Sequence, residues 1–325
     1  MSLPLTVIMT VRNGEPYVRE AVQSILGQTY SDFEFVIVNN GSTDNSTEIV
    51  RSFRDPRVRL ICLKRNIGRP QALNLALGEA RGKYVAVQDA DDVSLPTRLE
   101  KQMTYLVKHP EVILLGTWIQ LIDENGKVFD QRRFPTDVLE IKDSIVYANT
   151  FAHSSVVYRL EHTKEACAYP VDHPYSHDYF LWLRLCSRYS VANLPEELVY
   201  IRIHGAQAGK VKNFKATKSR DILRGFCSAR SCSHPSKRLR ANNGRTVARA
   251  MLDYAEALYE EGSRAAALGT MASAVVQHPL ICAGNNHLRL QVGRLIFGRT
   301  VYESLRSAKR RLVGATSQTR KVEIH

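Results

Sequence analysis

The run Phe35-Val36-Ile37-Val38 has no polar residue at alternate positions. A strand of that kind hides both faces, as the strands of a parallel sheet covered by helices must. The sequence around it keeps the same rhythm through the first 110 residues, where short β-branched runs alternate with helix-period segments. Strands are expected at 5–11, 33–38, 58–63 and 84–88. Helices are expected at 17–28, at 45–53 with Asp44 as the cap, at 70–80, and at 97–108 after Ser94 and Pro96. The reading is an α/β fold with an open, mostly parallel sheet and flanking helices.

After His109-Pro110 the rhythm changes. Segments 112–122 and 127–132 flank Asn125-Gly126, a hairpin signal. Mixed short elements then continue to Val199-Tyr200-Ile201-Arg202. From about residue 212 the pattern is wholly helical, with 248–261 and 263–277 separated by Gly262 in the manner of a single tetratricopeptide-like helix pair.

Charge divides the chain at the same place. The net charge is +13, but residues 1–210 hold 24 basic and 25 acidic side chains and residues 211–325 hold 21 and 7. A basic helical C-terminal region, 211–325, is therefore expected to follow a near-neutral domain, 1–210. Its basic clusters near apolar helical residues suit an anionic membrane surface. The absence of aromatic residues interleaved with those clusters argues against nucleic acid. The six cysteines form no C-x-x-C pair, which points to reduced thiols. The start lacks a basic leader and no stretch approaches the length of a spanning helix. The expectation is a cytoplasmic protein, peripheral at the inner face of a membrane if bound there at all.

In open parallel sheets ligands bind beyond the carboxyl ends of the strands. Four polar loops occupy those places, at 10–13, 39–44, 66–69 and 89–92. The most informative is Asp89-Ala90-Asp91-Asp92, which closes the apolar run Tyr84-Val85-Ala86-Val87-Gln88. Carboxylates so spaced at a strand end offer hard oxygen ligands to one divalent cation, Mn²⁺ or Mg²⁺, that can bridge phosphate oxygens. The competing reading of these letters is a helix cap beside solvated loop charges.

The segments "VIMTVRNGEPYVREAVQSILGQTYSDFEFVIVNNGSTDNS" and "NIGRPQALNLALGEARGKYVAVQDADD" agree in order and spacing with the motifs of family 2 glycosyltransferases of the GT-A fold, and the chain resembles that family over roughly residues 3–205. The resemblance implies an inverting transfer from a nucleotide diphosphate sugar to a hydroxyl of a glycan or lipid-linked acceptor. Residues to about 110 would bind the nucleotide sugar and residues 111–210 the acceptor. It places Thr10, Val11 and Asn13 by the base and ribose, Arg69 by base or phosphate, Asp89 by the ribose or a metal-bound water, and Asp91 on the metal. Asp92 would orient that site or cap the next helix. Asn40 stands where the family usually has the second acid of Asp-Asp-Gly-Ser, and Asn39 replaces the first. An amide keeps an acceptor oxygen, adds a donor and removes the charge, so UDP- or dTDP-sugars are favoured while exclusion of other bases is weakened. Asp178, in His177-Asp178-Tyr179-Phe180-Leu181-Trp182, would be the base at a helix start, where the ionised carboxylate is favoured; its alternative is a helix cap. His153, His177 and His204 would meet diphosphate, metal or acceptor, and a structural role competes for them. Two other classes stay open: a sugar-nucleotide nucleotidyltransferase, against which the single glycine of Thr10-Val11-Arg12-Asn13-Gly14 counts, and a non-catalytic nucleic-acid-binding protein.

Overall fold

The structure is a computed structural model that describes residues 4–145, 149–165, 168–172 and 176–205. The helix pair and basic clusters expected in 211–325 lie outside the described residues. Strands β1 (Leu5–Val11), β2 (Phe33–Asn39), β3 (Val58–Cys62) and β4 (Tyr84–Val87) form a parallel sheet in the order β3-β2-β1-β4. Every residue of β2 is buried, as its unbroken apolar run demands. Phe35 and Ile37 join Val7 and Met9 in a core under α1 (Val18–Leu26) and α4 (Arg98–Lys108), through Val22, Ile25, Leu99 and Met103. Helix α3 (Arg69–Glu79) packs on β1 and β2, burying Ala72, Leu73 and Ala76.

Two of the expected helices end differently. Helix α1 stops at Leu26 because Gly27 turns the chain. Gln28 then leaves the helix, donating from Nε2 to Leu95 O at 2.8 Å and accepting from Leu99 N at 2.9 Å, which fastens the start of α4. Asn45, one residue beyond Asp44, holds the cap position of α2 (Ser46–Arg51). Asn45 makes no side-chain cap bond, so the Asp44 carboxylate still does the capping, accepting from Ser46 N at 3.1 Å, and it also accepts from Glu15 N at 3.0 Å, joining the loops after β2 and β1.

The second half continues the same sheet. Strands β6 (Val112–Ile122) and β7 (Val128–Arg132) make the expected hairpin, with Gly126 at φ 83° in the left-handed region that glycine enters freely. Helix α5 (Val138–Ser144) and a short 3₁₀ turn (His153–Ser155) lead to β8 (Val157–Arg159), which runs antiparallel to both β4 and β6. After α6 (Leu160–Glu165) and α7 (His177–Arg188), the long strand β9 (Ser190–Arg202) pairs parallel with β6 and antiparallel with the two-residue β5 (Val93–Ser94). The full order is β3-β2-β1-β4-β8-β6-β9-β5. Three strands separate β4 from β5 in this order, yet only the turn 88–92 joins them in sequence. At about 4.8 Å per strand spacing the sheet must curl to close that gap, and the curl brings the end of β9 over the acidic loop.

Arg98 fills the junction. Its fully buried guanidinium donates to Val87 O at 2.9 Å, Val156 O at 3.1 Å and Ser94 Oγ at 2.8 Å, so one side chain ties β4 to the segment that enters β8 and to β5. Burial lowers its pKa, to about 9, against the pull of Asp92 and Asp89. It remains a cation at neutral pH.

Gly116 in β6 makes room for the stretch that precedes the 3₁₀ turn. A Cβ there would collide with Asn193 Oδ1 and stand 2.7 Å from Phe151 Cδ1, whereas one on Gly78 of α3 meets nothing within 4 Å. Gly116→Ala should therefore cost about 1–3 kcal/mol, or roughly 2–4 °C of melting temperature per kcal/mol. Gly78→Ala should leave it unchanged or raise it slightly. Thermal melts of the two variants side by side check the contrast.

Candidate functional site

Chain order reverses between β1 and β4, with β2 and β3 on one side. That switch point opens a cleft at the carboxyl ends of the strands. The cleft has a volume of about 600 Å³, and Thr10, Val11, Asn13, Asn40, Arg69, Asp89, Asp91 and His204 all line it. Four short loops converge there because the parallel strands end together. Asn13 adopts φ 51°, which asparagine tolerates better than most residues. Its Oδ1 accepts from Thr43 N at 2.9 Å while its own amide donates to Ser42 Oγ at 3.1 Å.

Asn40 is held in one orientation by the backbone. Its Oδ1 accepts from Ile67 N at 2.9 Å, and its Nδ2 donates to Asn66 Oδ1 at 3.0 Å, the same oxygen that accepts from Gly68 N. Asn39 is engaged likewise, taking Ser42 N at 3.0 Å and donating to Thr47 Oγ1. Both amides thus brace the loops after β2 and β3, a task for which the added NH₂ donor of asparagine is needed.

The acidic loop spans unlike environments. Asp89 Oδ1 takes an ion pair from Arg69 at 2.6 Å and a hydrogen bond from His153 Nδ1 at 2.9 Å. Burial opposes its charge, but Arg69 and His153 outweigh burial and hold the carboxyl well below the usual carboxylate range. Arg69, the first residue of α3, is thus ion-paired at the cleft edge with its side chain still 38% exposed. Asp91 is more open, and its Oδ2 accepts from His204 Nε2 at 3.0 Å. Asp92 is buried beneath the cleft. One of its oxygens accepts from the Ser154 hydroxyl and the other from Arg202 N at 3.0 Å. It neither lines the cleft nor caps α4, whose cap position belongs to Thr97. Burial, followed by the neighbouring charges of Asp91 and Asp89, pushes its pKa well above the ordinary value.

The second cluster lies at the start of α7. Asp178 stands in the first turn, but the cap position is held by Ser176. Its Oδ2 accepts from Asn149 Nδ2 at 2.9 Å. The buried His177 ring packs edge-on against His153 and Tyr169, with centroids 5.7 and 5.6 Å apart. His153 connects the clusters, because its Nε2 lies 3.3 Å from Tyr169 Oη, which in turn lies 3.3 Å from Tyr158 Oη. Burial raises the pKa of both tyrosines, so they stay neutral.

Asp89, Asp91 and Asp92 can each bring a carboxylate oxygen within 4.8 Å of the others. An all-oxygen anionic set of this kind fits a hard divalent cation. Asp91 would hold it toward the cleft, with Asp89 beside it and Asp92 below. The sequence pattern marks Asp89, Asp91, Arg69, Asn40 and the three histidines; of these Asn40, Arg69, Asp89, Asp91 and His204 line the cleft, His153 bonds Asp89 from behind it, and His177 is buried against His153. The pattern does not mark Ser154, Tyr169, Asn149 or Arg202. Arg202 is buried, donates from Nε to Asp91 O at 3.1 Å and pairs with Glu20, and its guanidinium lies 4.7 Å over the Tyr17 ring. Only its position two residues before His204 was a signal for it.

Residues 6–183 match the model of the family described as Glycosyl transferase family 2. The O-antigen biosynthesis glycosyltransferase WbnJ of Escherichia coli is 35% identical over 215 residues, covering 63% of this chain and 82% of that protein. Among solved structures, S. aureus TarS 1-349 in complex with UDP-GlcNAc superposes with a TM-score of 0.66 at 19% identity, over 94% of this chain and 92% of that one. The mannosyltransferase PcManGT from Pyrobaculum calidifontis, in complex with GDP-Man and Mn²⁺, gives a TM-score of 0.56 at 18% identity, over 92% and 88%. At these identities the structural likeness establishes the fold, the curled α/β sheet of GT-A proteins.

The raised pKa of Asp92 has a consequence for stability. A carboxyl that binds its proton more tightly in the folded state stabilises fully below its unfolded pKa of about 3.9, and that contribution is lost as pH rises toward the folded value. In metal-free buffer the melting temperature should fall as the pH rises above about 4. Asp92→Asn, neutral throughout, should flatten that slope, and melts of both proteins across the range measure it.

Proposed function

The chain belongs to glycosyl transferase family 2 and is a glycosyltransferase, and from that premise we propose that it transfers a sugar, with inversion, from a nucleotide diphosphate sugar to a hydroxyl of a glycan or lipid-linked acceptor. The observation that carries this reading is the pairing of an open carboxylate, Asp91, in the switch-point cleft with a second carboxylate, Asp178, joined to the cleft wall through the 149–153 stretch and His153. Donors named in the complexes of its structural neighbours, UDP-GlcNAc and GDP-Man, support the donor class. The O-antigen role in the name of WbnJ supports surface-polysaccharide synthesis.

In the proposed mechanism Thr10, Val11, Asn13 and Asn40 bind the nucleoside, with UDP- or dTDP-sugars favoured. Arg69 lies across the phosphate region, its charge shared with Asp89. Asp91, with Asp89 and Asp92, would hold Mn²⁺ or Mg²⁺, and a cation there stabilises negative charge on the departing diphosphate. Asp178 accepts the acceptor hydroxyl proton as that oxygen bonds to the anomeric carbon. The bond from the anomeric carbon to the phosphate oxygen breaks, and its electron pair leaves with the nucleoside diphosphate. His204 steadies Asp91 and His153 steadies Asp89, while His177 packs behind both histidine and tyrosine. Residues to about 110 serve the donor and 111–210 the acceptor. The basic region 211–325 would rest on an anionic membrane surface at the cytoplasmic face. Among the described residues no helix is long and apolar enough to cross a membrane.

Two variants test the assignment, together with a calorimetric screen of UDP-, dTDP- and GDP-sugars in the presence of Mn²⁺ or Mg²⁺. Asp178→Asn should lose about 10²- to 10⁴-fold in turnover with donor affinity kept. Asp91→Ala should lose both turnover and the cation dependence of donor binding. Wild-type rates in both variants would overturn the site.

A further inference from the structure

One short stretch of chain touches both ends of the proposed reaction. From Asn149 the backbone runs through Thr150, Phe151 and Ala152 to His153, and its first and last side chains reach carboxylates on different elements. Asn149 Nδ2 donates to Asp178 Oδ2 at 2.9 Å, and His153 Nδ1 donates to Asp89 Oδ1 at 2.9 Å. We infer that Asn149 is a positioning residue for the acceptor base, holding one oxygen of Asp178 so that the other is presented to the attacking hydroxyl at a fixed spacing from the acidic loop. The inference rests on the reading of Asp178 as that base.

Three observations support it. The Asn149 amide cannot turn over without loss, because its Oδ1 accepts from Phe151 N at 3.2 Å. The NH₂ group is thereby aimed at Asp178. The stretch itself is anchored, since Phe151 is 1% exposed beside Gly116 and Thr150 O accepts from Asn193 Nδ2 of β9 at 3.2 Å. The 3₁₀ turn that follows adds Ser155 N and Ser155 Oγ, both donating to Ala152 O at 2.9 Å. Asp178 stands in the first turn of α7, one residue beyond the start of the helix, and Ser176 at the cap position makes no side-chain cap bond. From outside the helix, Asn149 reaches the Asp178 carboxylate with a donor at 2.9 Å. Reaction rates are sensitive to such placement: a misplacement of about 1 Å costs on the order of 100-fold.

The test uses the full chain with Mn²⁺ and follows UDP release from UDP-glucose, UDP-galactose and UDP-GlcNAc with water as acceptor, alongside UDP binding by calorimetry. Asn149→Ala should lower kcat about 10- to 100-fold with KM and UDP affinity within about two-fold, a split expected when a transition-state contact alone is lost. Asn149→Asp separates positioning from a structural role. It can still accept from Phe151 N but sets a second carboxylate against Asp178, so it should lose at least as much as the alanine variant. In an Asp178→Asn background Asn149→Ala should cost nothing further, because the two residues act as a unit. The positioning role alone is overturned if Asn149→Asp turns over like wild type, if Asn149→Ala does, or if its loss is equal in both backgrounds. Wild-type turnover by Asp178→Asn, or no UDP release by the wild-type protein from any of the three donors, overturns the reading beneath it.

Discussion

Asp92 ties together three parts of the molecule that are far apart in sequence. Its carboxyl accepts from the Ser154 hydroxyl and from the Arg202 amide, and the Ser154 oxygen in turn accepts from Asp89 N at 3.2 Å. The end of β4, the 3₁₀ turn and the last residue of β9 thus meet at one buried group. Removing a partner from such a buried polar node costs far more than a surface contact contributes. The position of Asp91 follows from it, because Asp91 is the half-buried residue next to the buried Asp92, and Arg202 holds its carbonyl as well.

The same economy of placement governs charge. Three aspartates within four positions repel one another, and the fold resolves this by giving each a different environment. Asp89 is neutralised by Arg69 and His153, Asp92 is buried with a raised pKa, and Asp91 is left facing the cleft beside His204. The buried Arg98 below contributes a fixed positive charge that Asp92 and Asp89 both feel. An open carboxylate amid compensated ones is what a divalent cation requires, since its ligands must be anionic yet tolerably close before it arrives.

The paired asparagines illustrate how a local substitution spreads. With acids at 39 and 40 the loops after β2 and β3 would lack the donors to Thr47 and to Asn66. The amides therefore tie the cleft wall to loop structure, so that replacing them with acids would change that wall as well as its charge.

How much of this could be read in advance differs between elements. The unbroken apolar run of β2, the helical spacing of Val18, Ala21, Val22 and Ile25, and the Asn125-Gly126 turn are local patterns, and burial in the folded protein follows them. So is the acidic cluster at the end of β4, because strand ends in a parallel sheet converge by topology alone. Helix α1 ends before Gln28 because Gln28 satisfies the distant backbone groups Leu95 O and Leu99 N, which no local window contains. The amino-acid sequence by itself determined a parallel α/β core and the polar residues at the carboxyl edge of its sheet, since these depend on periodicity and on where apolar runs stop. Only the tertiary structure decided that Asp92 is buried, that Asp89 is paired, and that Asn149 and His153 reach from one stretch to two carboxylates. Those outcomes depend on the curl of the sheet, which sets residues about a hundred positions apart within hydrogen-bond reach.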